Sequence, residues 1–352
     1  MKKIAFLVED KNSTQYRYRI LNISDALKKS EKFSSEIFLL SDSKKFKSQF
    51  KDFSFLVILR QTPKGSTLLN LIESAKKNRL KVIFDLDDLI FDYRYLRTLM
   101  SSTNSKNIFY WLGYFFGIRR IAKRVDGFLT TNDFLAKKLK TTFNKPVAVI
   151  PNSLNSAQIS ASKDILKNKP KSKNFTLGYF SGSPTHAKDF RLIEPELIKF
   201  LNDFPDSILK IVGYMNFSNS AQKLLKEGRI VFEKPVDYLK LQEKIASVNV
   251  NLAPLLINDF TNCKSELKFF EAAIVETTTI ASPNFSFKTA IKNNETGFLT
   301  KPDEWYKTLK FLYENPKENQ KIARAAKNYC LENYYGENLL KIIERAYDEL
   351  SI

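Results

Sequence analysis

The sequence predicts an α/β protein made of two consecutive doubly wound domains. Short apolar runs alternate with amphipathic helical stretches along most of the chain, a pattern typical of parallel sheets covered by helices on both faces. The alternation breaks once, between Asn155 and Phe175, in a segment rich in Ser, Lys and Asn, and then restarts. A length of 352 residues also suits two domains better than one.

The first domain begins with a buried-strand pattern, KKIAFLV. A helix is predicted next from apolar residues at Ile20, Ile23, Ala26 and Leu27, and a second helix over 68–80, because their spacing follows the helical period. The predicted strands of this domain are 2–8, 36–40, 55–60, 81–87, 127–132 and 146–152.

The second domain repeats the alternation, and the chain ends in helices from Pro302 onward. A polar linker is predicted over 156–174, because no periodic apolar pattern is visible there. The predicted strands of this domain are 175–182, 207–215, 229–235, 248–255 and 277–283, and the last two predicted helices lie within 316–333 and 337–350.

The composition excludes several classes of protein. The two cysteines, Cys263 and Cys330, are too few for a disulfide framework or a four-cysteine zinc site. A single histidine, His186, excludes His-rich metal chemistry. The apolar run at the N-terminus is too short for a signal peptide, so we expect a cytoplasmic protein.

Positive charge is concentrated in the first half of the chain. The net charge is +19, and the first 155 residues hold 29 lysines and arginines against 14 acidic residues. This asymmetry indicates that one half faces something anionic. Nucleic acid, an anionic membrane surface and a phosphorylated substrate all qualify, and simple solubility is the alternative.

Two segments at predicted strand ends of the first domain offer polar groups for chemistry. Arg17 and Arg19 follow the first strand and could grip an anionic or sugar substrate, or lie at a solvated helix start. Asp85, Asp87 and Asp88 follow the fourth strand. These carboxylates could bind a metal ion as an Asp-x-Asp motif, serve as a base, or cap the following helix.

An aromatic segment, IFYWLGYFFGI at 108–118, precedes the basic cluster RRIAKR at 119–124. Eleven apolar residues make roughly 16 Å of helix, about half of a bilayer core, so the segment is too short to span a membrane. Aromatic residues beside basic ones favour a helix in the membrane interface. The alternative is an ordinary buried helix whose polar end is exposed to solvent.

Two segments of the second domain suit a phosphorylated ligand. The stretch 178–190 predicts a strand, a turn at Gly182 and Ser183, and a helix start whose amides could bind phosphate with help from His186 and Lys188. The stretch 262–283 predicts a helix in which Lys264, Lys268 and Glu271 share one face. Two cations and a carboxylate there suit a nucleotide diphosphate and a ribose diol, and an exposed Lys–Glu pair is the alternative.

These segments together resemble family 4 of the bacterial GT-B glycosyltransferases, which have two facing Rossmann-like domains. The resemblance extends over nearly the whole chain. YRYRI and DLDDLIFD are similar to a subgroup that assembles surface polysaccharides. The other matching segments are RVDGFLTTNDFLAKKL, VAVIPNSLN, NLAPLLINDFTNCKSELKFFEAAIVETTTIAS and NNETGFLT.

The resemblance implies roles for individual residues. Glu271 would bind the nucleotide ribose, Lys268 and Lys264 would approach the diphosphate, and Val236 would lie near the nucleobase. Gly182, Ser183, His186 and Lys188 would form the phosphate loop. The sequence departs from the family at Cys263, where a second glutamate is common, at Ser183, where arginine is usual, and at Glu276, Thr277 and Thr278, where a glycine and a proline are frequent.

The implied function is retaining, metal-independent sugar transfer from a nucleotide-diphosphate donor to a glycan or polyprenyl-linked acceptor, with no other cofactor. Asp87, Asp88, Lys188 and Lys268 are the catalytic candidates, and Arg17 and Arg19 the acceptor-binding ones. The implied domains are 1–155 for the acceptor, 175–335 for the donor, and a helix over 336–352 packed back on the first.

The short N-terminal apolar run and the aromatic segment 108–118 with its basic cluster together predict a cytoplasmic protein that is peripheral on the inner face of the plasma membrane. The sugar, the nucleotide base and the oligomeric state stay open. Two alternatives remain: a transferase with a metal ion on Asp85 and Asp87, and a non-catalytic accessory subunit that binds a partner enzyme or glycan. Nucleic-acid binding is disfavoured because no DNA- or RNA-binding motif is visible.

Overall fold

The computed structural model describes residues 1–13, 15–103, 107–169, 174–182 and 186–351. These residues form two compact units. Unit 1 comprises Met1–Asn155, Cys263–Ser265 and Glu332–Ile352, and unit 2 comprises Ser156–Asn262 and Glu266–Leu331.

Unit 1 contains a six-stranded parallel sheet in the order β2-β1-β3-β4-β5-β6. The strands form where the apolar runs were found, because a parallel strand buried on both faces needs an unbroken apolar sequence. In β1, for example, every side chain from Ile4 to Val8 is fully buried. The strands are β1 (Lys2–Val8), β2 (Phe33–Leu39), β3 (Phe55–Leu59), β4 (Lys81–Asp85), β5 (Gly127–Thr130) and β6 (Val147–Val149).

Unit 2 contains a second six-stranded parallel sheet, in the order β12-β11-β10-β7-β8-β9. The strand order reverses between β7 and β10, which makes the carboxyl ends of these two strands the switch point of the sheet. The strands are β7 (Thr176–Ser181), β8 (Ile208–Gly213), β9 (Ile230–Glu233), β10 (Val250–Ala253), β11 (Thr278–Ala281) and β12 (Phe298–Leu299). The two parallel sheets confirm the predicted α/β fold class.

Helices connect the strands in both units. The chain enters α1 through a π-helical turn, Tyr16–Leu21. In chain order the α-helices are α1 (Asn22–Leu27), α2 (Ser43–Ser48), α3 (Thr67–Lys77), α4 (Leu96–Thr103), α5 (Ile108–Ala122), α6 (Asp133–Phe143), α7 (Ser156–Lys167), α8 (Ala187–Arg191), α9 (Glu194–Asp203), α10 (Asn219–Lys226), α11 (Tyr238–Ala246), α12 (Asp259–Asn262), α13 (Leu267–Ala273), α14 (Phe285–Ala290), α15 (Trp305–Glu314), α16 (Pro316–Asn333) and α17 (Gly336–Ser351).

The C-terminal helix α17 belongs to the core of unit 1. Leu339, Ile343 and Tyr347 are fully buried and lie at i, i+4 and i+8, an amphipathic stripe that faces the sheet. The Tyr347 ring packs 5.6 Å from that of Phe33 and 5.3 Å from that of Phe55. The last helix therefore completes the hydrophobic core of the unit that contains the first strand.

The segment predicted as a polar linker is helical over most of its length. Helix α7 buries Gln158 and Ser162, and Ile165 packs against the apolar cluster around Phe180 and Val248. These residues lie at i, i+4 and i+7, so they form one helical face. The sequence pattern missed the helix because two of its buried positions are polar.

Gly213 fixes the backbone near the switch point. It ends β8 with a φ of +121°, and a Cβ at this position would lie 1.9 Å from the carbonyl oxygen of Ser181. Only glycine avoids this clash. The close approach places the chain that leaves β8 beside the end of β7.

Candidate functional site

Each unit holds a cluster of charged side chains at the carboxyl edge of its sheet, where ligands of doubly wound proteins bind. The aspartate cluster of unit 1 follows β3 and β4. The switch-point cluster of unit 2 follows β7 and includes the first turns of α13. The aspartate cluster consists of Asp85, Asp87, Asp88, Arg60 and Lys264, and the switch-point cluster of Tyr179, His186, Asp189, Lys268 and Glu271.

Asp85 and Arg19 form a buried ion pair inside unit 1. Both side chains are fully buried, and the guanidinium meets the carboxylate twice, with Nε 2.9 Å from Oδ1 and Nη2 3.0 Å from Oδ2. Arg19 also donates to the carbonyl oxygen of Ile150 at 2.5 Å. The pair joins the π-helical turn to β4, and none of the Arg19 side chain is exposed. The prediction that Arg19 binds the acceptor is therefore wrong.

Asp87 and Asp88 share the guanidinium of Arg60, the residue after β3. Its Nη1 lies 2.9 Å from Oδ1 of Asp87 and 2.6 Å from Oδ2 of Asp88. Lys264 adds a second cation to Asp88 alone, with Nζ 3.7 Å from Oδ1. The two neighbouring carboxylates therefore lie in different electrostatic surroundings.

The pKa values of the two carboxylates move in opposite directions. Burial raises the pKa of Asp87, and the charge of Asp88 adds to that rise, while Arg60 opposes it. Burial also works against ionisation of Asp88, but Lys264 and Arg60 outweigh it and hold the Asp88 pKa below its usual value. Asp88 is thus the fixed anion, and Asp87 is the carboxylate better suited to accept a proton.

The same contacts argue against the metal alternative on Asp85 and Asp87. A metal ion would have to displace Arg19 from both oxygens of Asp85 in a fully buried place. Within the described ranges, no group of three or more His, Cys, Asp or Glu side chains is arranged to hold a metal ion.

In unit 2, Asp189 organises the loops on either side of the switch point. Its Oδ1 accepts a hydrogen bond at 3.0 Å from the amide of Leu256, which follows β10, and its Oδ2 lies 3.2 Å from Nδ1 of His186. The hydroxyl of Tyr179, in β7, donates to the carbonyl oxygen of His186 at 2.8 Å. The loops after β7 and β10 are thereby held together.

Helix α13 brings Lys268 and Glu271 to the same region of unit 2. The ammonium of Lys268 lies 4.7 Å from the centre of the Tyr179 ring, a cation–π distance. Glu271 is only 5% exposed. Its carbonyl oxygen accepts from the buried amide of Gln242 at 2.5 Å, and the Lys268 carbonyl oxygen accepts from Asn251 at 2.9 Å. Buried amides thus fix the backbone from which both side chains project.

The predicted helix face of three charged residues contains only two of them. Helix α13 begins at Leu267, so Lys264 precedes it and belongs to unit 1. Glu266 takes the N-cap position instead. The predicted helix began too early. A charged residue four positions before Lys268 falls on the same helical face whether or not the helix includes it.

Of the remaining predicted ligand contacts, Gly182, Lys188 and Val236 lie in unit 2 and Arg17 in unit 1. Gly182 and Lys188 are exposed, and Val236, just before α11, packs half-buried against the apolar cluster around Phe180 and Val248. Ser183 lies outside the described residues. Helix α8, which follows, is only five residues long, so a phosphate there would depend more on side chains than on a helix dipole. Arg17 stacks on Tyr18 at 4.1 Å and is half-buried.

Sequence reasoning missed two residues that organise these clusters. Arg60 is the charged residue that ends the apolar run FLVILR, the same signal that marked Asp85. Asp189 lies in a helical turn without an apolar pattern that would orient it. Its role becomes visible only when the loop after β10 is placed beside it.

The aromatic helix α5 buries one face and exposes the other. Trp111, Phe115 and Ile118 are buried, while Phe109 is 82% and Phe116 61% exposed. None of the helices in the described part of the chain has the length and apolar character needed to cross a bilayer. An interfacial position stays a prediction, with one correction to its basic cluster.

Arg119 is not one of the cations on the exposed face. Its Nη1 donates to the carbonyl oxygen of Phe91 at 3.1 Å, and its guanidinium lies 5.4 Å from the ring centres of both Phe115 and Phe143. Arg120 and Lys123 are exposed. The exposed aromatic face of α5 is therefore followed by two accessible cations.

Comparisons with known proteins agree with this architecture. Residues 194–344 match a family model described as glycosyl transferase-like. No curated protein sequence matches the chain. HepE of Anabaena, crystallised with UDP and glucose, is 14% identical and superposes with a TM-score of 0.64 over 100% of both chains.

Two further solved structures share the fold at similar identities. Sucrose-phosphate synthase of Thermosynechococcus elongatus is 14% identical, with a TM-score of 0.64 over 99% of both chains. A glycosyltransferase of Rickettsia africae is 13% identical, with a TM-score of 0.65 over 99% of this chain and 98% of the other. The chain therefore has the fold of the GT-B glycosyltransferases, as the sequence resemblance predicts.

Proposed function

We propose that this protein is a retaining glycosyltransferase that binds a nucleotide-diphosphate sugar in unit 2. The observation behind the proposal is the placement of Lys268 and the buried Glu271 on one short helix of the switch-point cluster, inside the segment that matches the glycosyl transferase-like family. HepE, which has the same fold, was crystallised with UDP and with UDP-glucose. A UDP-sugar is therefore the first donor to test.

The donor contacts follow from the chemistry of the side chains. A buried carboxylate such as Glu271 accepts hydrogen bonds from a ribose diol, and a lysine such as Lys268 stabilises a diphosphate. Lys188 adds charge near the phosphates, and Val236 offers an apolar surface to the base. Gly182 and His186, from the loop after β7, complete the described part of the proposed donor site.

The proposed reaction needs no metal ion and no side-chain nucleophile. The bond between the anomeric carbon and the diphosphate oxygen breaks, and the acceptor oxygen bonds to that carbon on the same face. The acceptor proton passes to the departing diphosphate or to Asp87, whose raised pKa suits a proton acceptor. Cations that stabilise the leaving diphosphate supply most of the catalysis.

The donor proposal is tested with Glu271→Gln, which keeps the size of the side chain and removes its charge. We expect at least a tenfold loss of UDP affinity in isothermal titration, about 1.4 kcal/mol. Glu295→Gln, an exposed glutamate in the same unit, is the matched control. Unchanged affinity in a folded Glu271→Gln protein would overturn the site.

The stereochemistry and the metal independence are tested with the active enzyme. NMR of the new glycosidic bond should show the anomeric configuration of the donor, and activity should survive excess chelator. Inverted product, or activity that disappears with chelator and returns with a divalent cation, would replace this mechanism by another.

We further propose that the acceptor is a glycan or a polyprenyl-linked sugar of bacterial surface polysaccharide assembly, and that α5 lies on an anionic membrane surface. The exposed Phe109 and Phe116 would enter the interface, and Arg120 and Lys123 would meet anionic headgroups. Each cation contributes about 1 kcal/mol near such a surface.

Vesicle sedimentation tests this surface. The double variant Arg120→Gln, Lys123→Gln should bind vesicles of anionic phospholipid roughly 30-fold less tightly, from about 2 kcal/mol. Arg119→Gln, which removes one charge from the half-buried side of the same helix, should have a smaller effect per charge. Equal binding to neutral and anionic vesicles would exclude this proposal.

A further inference from the structure

Unit 1 contains a pocket that is lined by none of the predicted site residues that the structure describes. Arg60, the ion-pair partner of Asp87 and Asp88, does line it. Its volume is about 740 Å³, in the range of small-molecule sites. The walls are the chain after β1, the chain after β3, and one face of α5, which includes Phe109, Phe116 and Arg120 of the proposed membrane surface. Because β1 and β3 are adjacent parallel strands, the pocket lies at the carboxyl edge of the first sheet.

Gln61, one of the residues that line this pocket, has buried and unsatisfied polar atoms. The residue is only 5% exposed, and neither its side-chain nitrogen nor its side-chain oxygen has a hydrogen-bond partner among the described residues. Leaving a buried amide unpaired is unfavourable. A ligand that both donates to the oxygen and accepts from the nitrogen would remove this cost.

The wall formed by α5 is aromatic and has a gap. The rings of Tyr110 and Tyr114 lie nearly parallel, 25° apart with centres 6.3 Å from each other. Gly113, which lies between them in the sequence and also lines the pocket, has no atom within 4 Å of the position a Cβ would take. A flat molecule with C–H groups on its faces could therefore lie against the rings at the open glycine.

The charges around the pocket are largely balanced within the protein. Lys64 forms an ion pair with Glu9, and Arg60 is shared by Asp87 and Asp88. The exposed Asp10 and Arg120, which also line the pocket, carry opposite charges. A phosphate or diphosphate would have to compete with these carboxylates for the cations. An uncharged polar ligand does not meet that competition.

We propose that this pocket binds a neutral pyranose, with the amide of Gln61 bridging two adjacent hydroxyl groups, or an acetamido group, while the ring lies against Tyr110 and Tyr114. The inference deepens the proposed function, on which it rests, by giving the acceptor a class and a place: an uncharged sugar beside Arg60, the residue that holds Asp87. Gln61 is a specificity-determining residue in this arrangement and takes no part in bond breaking.

The inference predicts an unusual pair of effects for Gln61→Leu. Removing an unsatisfied buried amide should keep or raise the midpoint of thermal unfolding. The same change should weaken sugar binding at least tenfold. A residue with a merely structural role would lose stability instead, so the two readouts together separate the two roles.

Ligand-observed NMR on the full chain tests binding with four probes: the methyl α-pyranosides of glucose, galactose, mannose and N-acetylglucosamine. Trp111, whose ring lies 5.4 Å from Tyr110 and 5.7 Å from Tyr114, provides a fluorescence titration. At least one probe should bind, and Gln61→Leu should weaken it. Gln49→Leu, a half-buried glutamine of the same unit outside the pocket, should not.

Three results would overturn the inference: none of the four sugars binds, Gln61→Leu binds as tightly as the unchanged protein, or inorganic pyrophosphate displaces the sugar. UDP titration of the same samples keeps this outcome separate from that of the donor site. Sugar binding without UDP binding would contradict the proposed function and support the sugar site. UDP binding without sugar binding would contradict the sugar site alone.

Discussion

The two sheet edges hold their charges in different ways. At the edge of unit 1, carboxylates and guanidinium groups neutralise one another: Arg19 meets both oxygens of Asp85, and Arg60 meets Asp87 and Asp88. At the switch point of unit 2, Lys268 lies over an aromatic ring, and buried amides hold the backbone of α13.

This difference indicates that the paired charges of unit 1 stabilise the fold, whereas Lys268 of unit 2 is suited to bind a ligand. A bidentate buried ion pair fixes the two elements it joins and is strongly unfavourable to break. A cation–π contact is weaker, about 0.5–2 kcal/mol, so a diphosphate can compete for the same lysine. The comparison predicts large stability effects in the first unit and mainly affinity effects in the second.

The largest expected effect is the loss of stability when Arg19 is replaced. Arg19→Met should lower the free energy of unfolding by about 3–5 kcal/mol, because Asp85 is left as a buried charge without its partner. Urea unfolding monitored by circular dichroism measures the change. The double variant Arg19→Met, Asp85→Leu should recover much of the loss. A single variant as stable as the unchanged protein would show that the pair is not structural.

The second effect concerns turnover and distinguishes Asp87 from its neighbour. If Asp87 accepts the acceptor proton, Asp87→Asn should lower kcat roughly 10²-fold or more and keep the UDP affinity. The acid limb of the pH–rate profile should vanish in this variant, since the group that must lose a proton is gone. Full turnover would place proton acceptance on the donor diphosphate.

The third effect is on stability and depends on pH. The folded pKa of Asp88 is lowered because Lys264 and Arg60 outweigh its burial. Its stabilisation is therefore present above the unfolded pKa and is lost as the pH falls through the folded one. Asp88→Asn should cost about 2 kcal/mol at pH 7, as expected for hydrogen bonds to a charged group, and less in acid.

Asp87→Asn is the matched comparison for that measurement. The folded pKa of Asp87 is raised, so its protonated form favours folding and this contribution is lost as the pH rises through the folded value. Replacing it should therefore leave stability at pH 7 unchanged or higher. If both variants lose the same stability at pH 7, the division between a fixed anion and a proton acceptor is wrong.

The sequence predicted the fold better than it predicted the contacts. Strands such as β1 and β3 are unbroken apolar runs because both faces are buried, and such runs are visible in one dimension. Helix α7 was missed because Gln158 and Ser162 occupy buried positions. Periodicity detects apolar faces and not polar ones.

The site shows the same limit. That Asp85, Arg17 and Arg19 follow strands is visible in the sequence, but which of them is buried is not, because it depends on a contact between residues 66 positions apart. Lys264 looked like part of a helical face until the helix began three residues later. Gln61 carried no signal at all, since an unpaired amide can be recognised only from its surroundings.

The smallest effect compares two lysines that the family resemblance places at the diphosphate. Lys268→Met should weaken UDP binding about tenfold, because the variant lacks the ammonium that is proposed to meet the phosphates beside the Tyr179 ring. Lys264→Met should weaken it less, since Lys264 belongs to unit 1 and forms an ion pair with Asp88 there. Tyr179→Phe keeps the ring and should bind UDP normally, whereas Tyr179→Leu should not. Isothermal titration with UDP ranks the four variants, and a larger loss from Lys264→Met than from Lys268→Met would reverse the assignment of the two sheet edges.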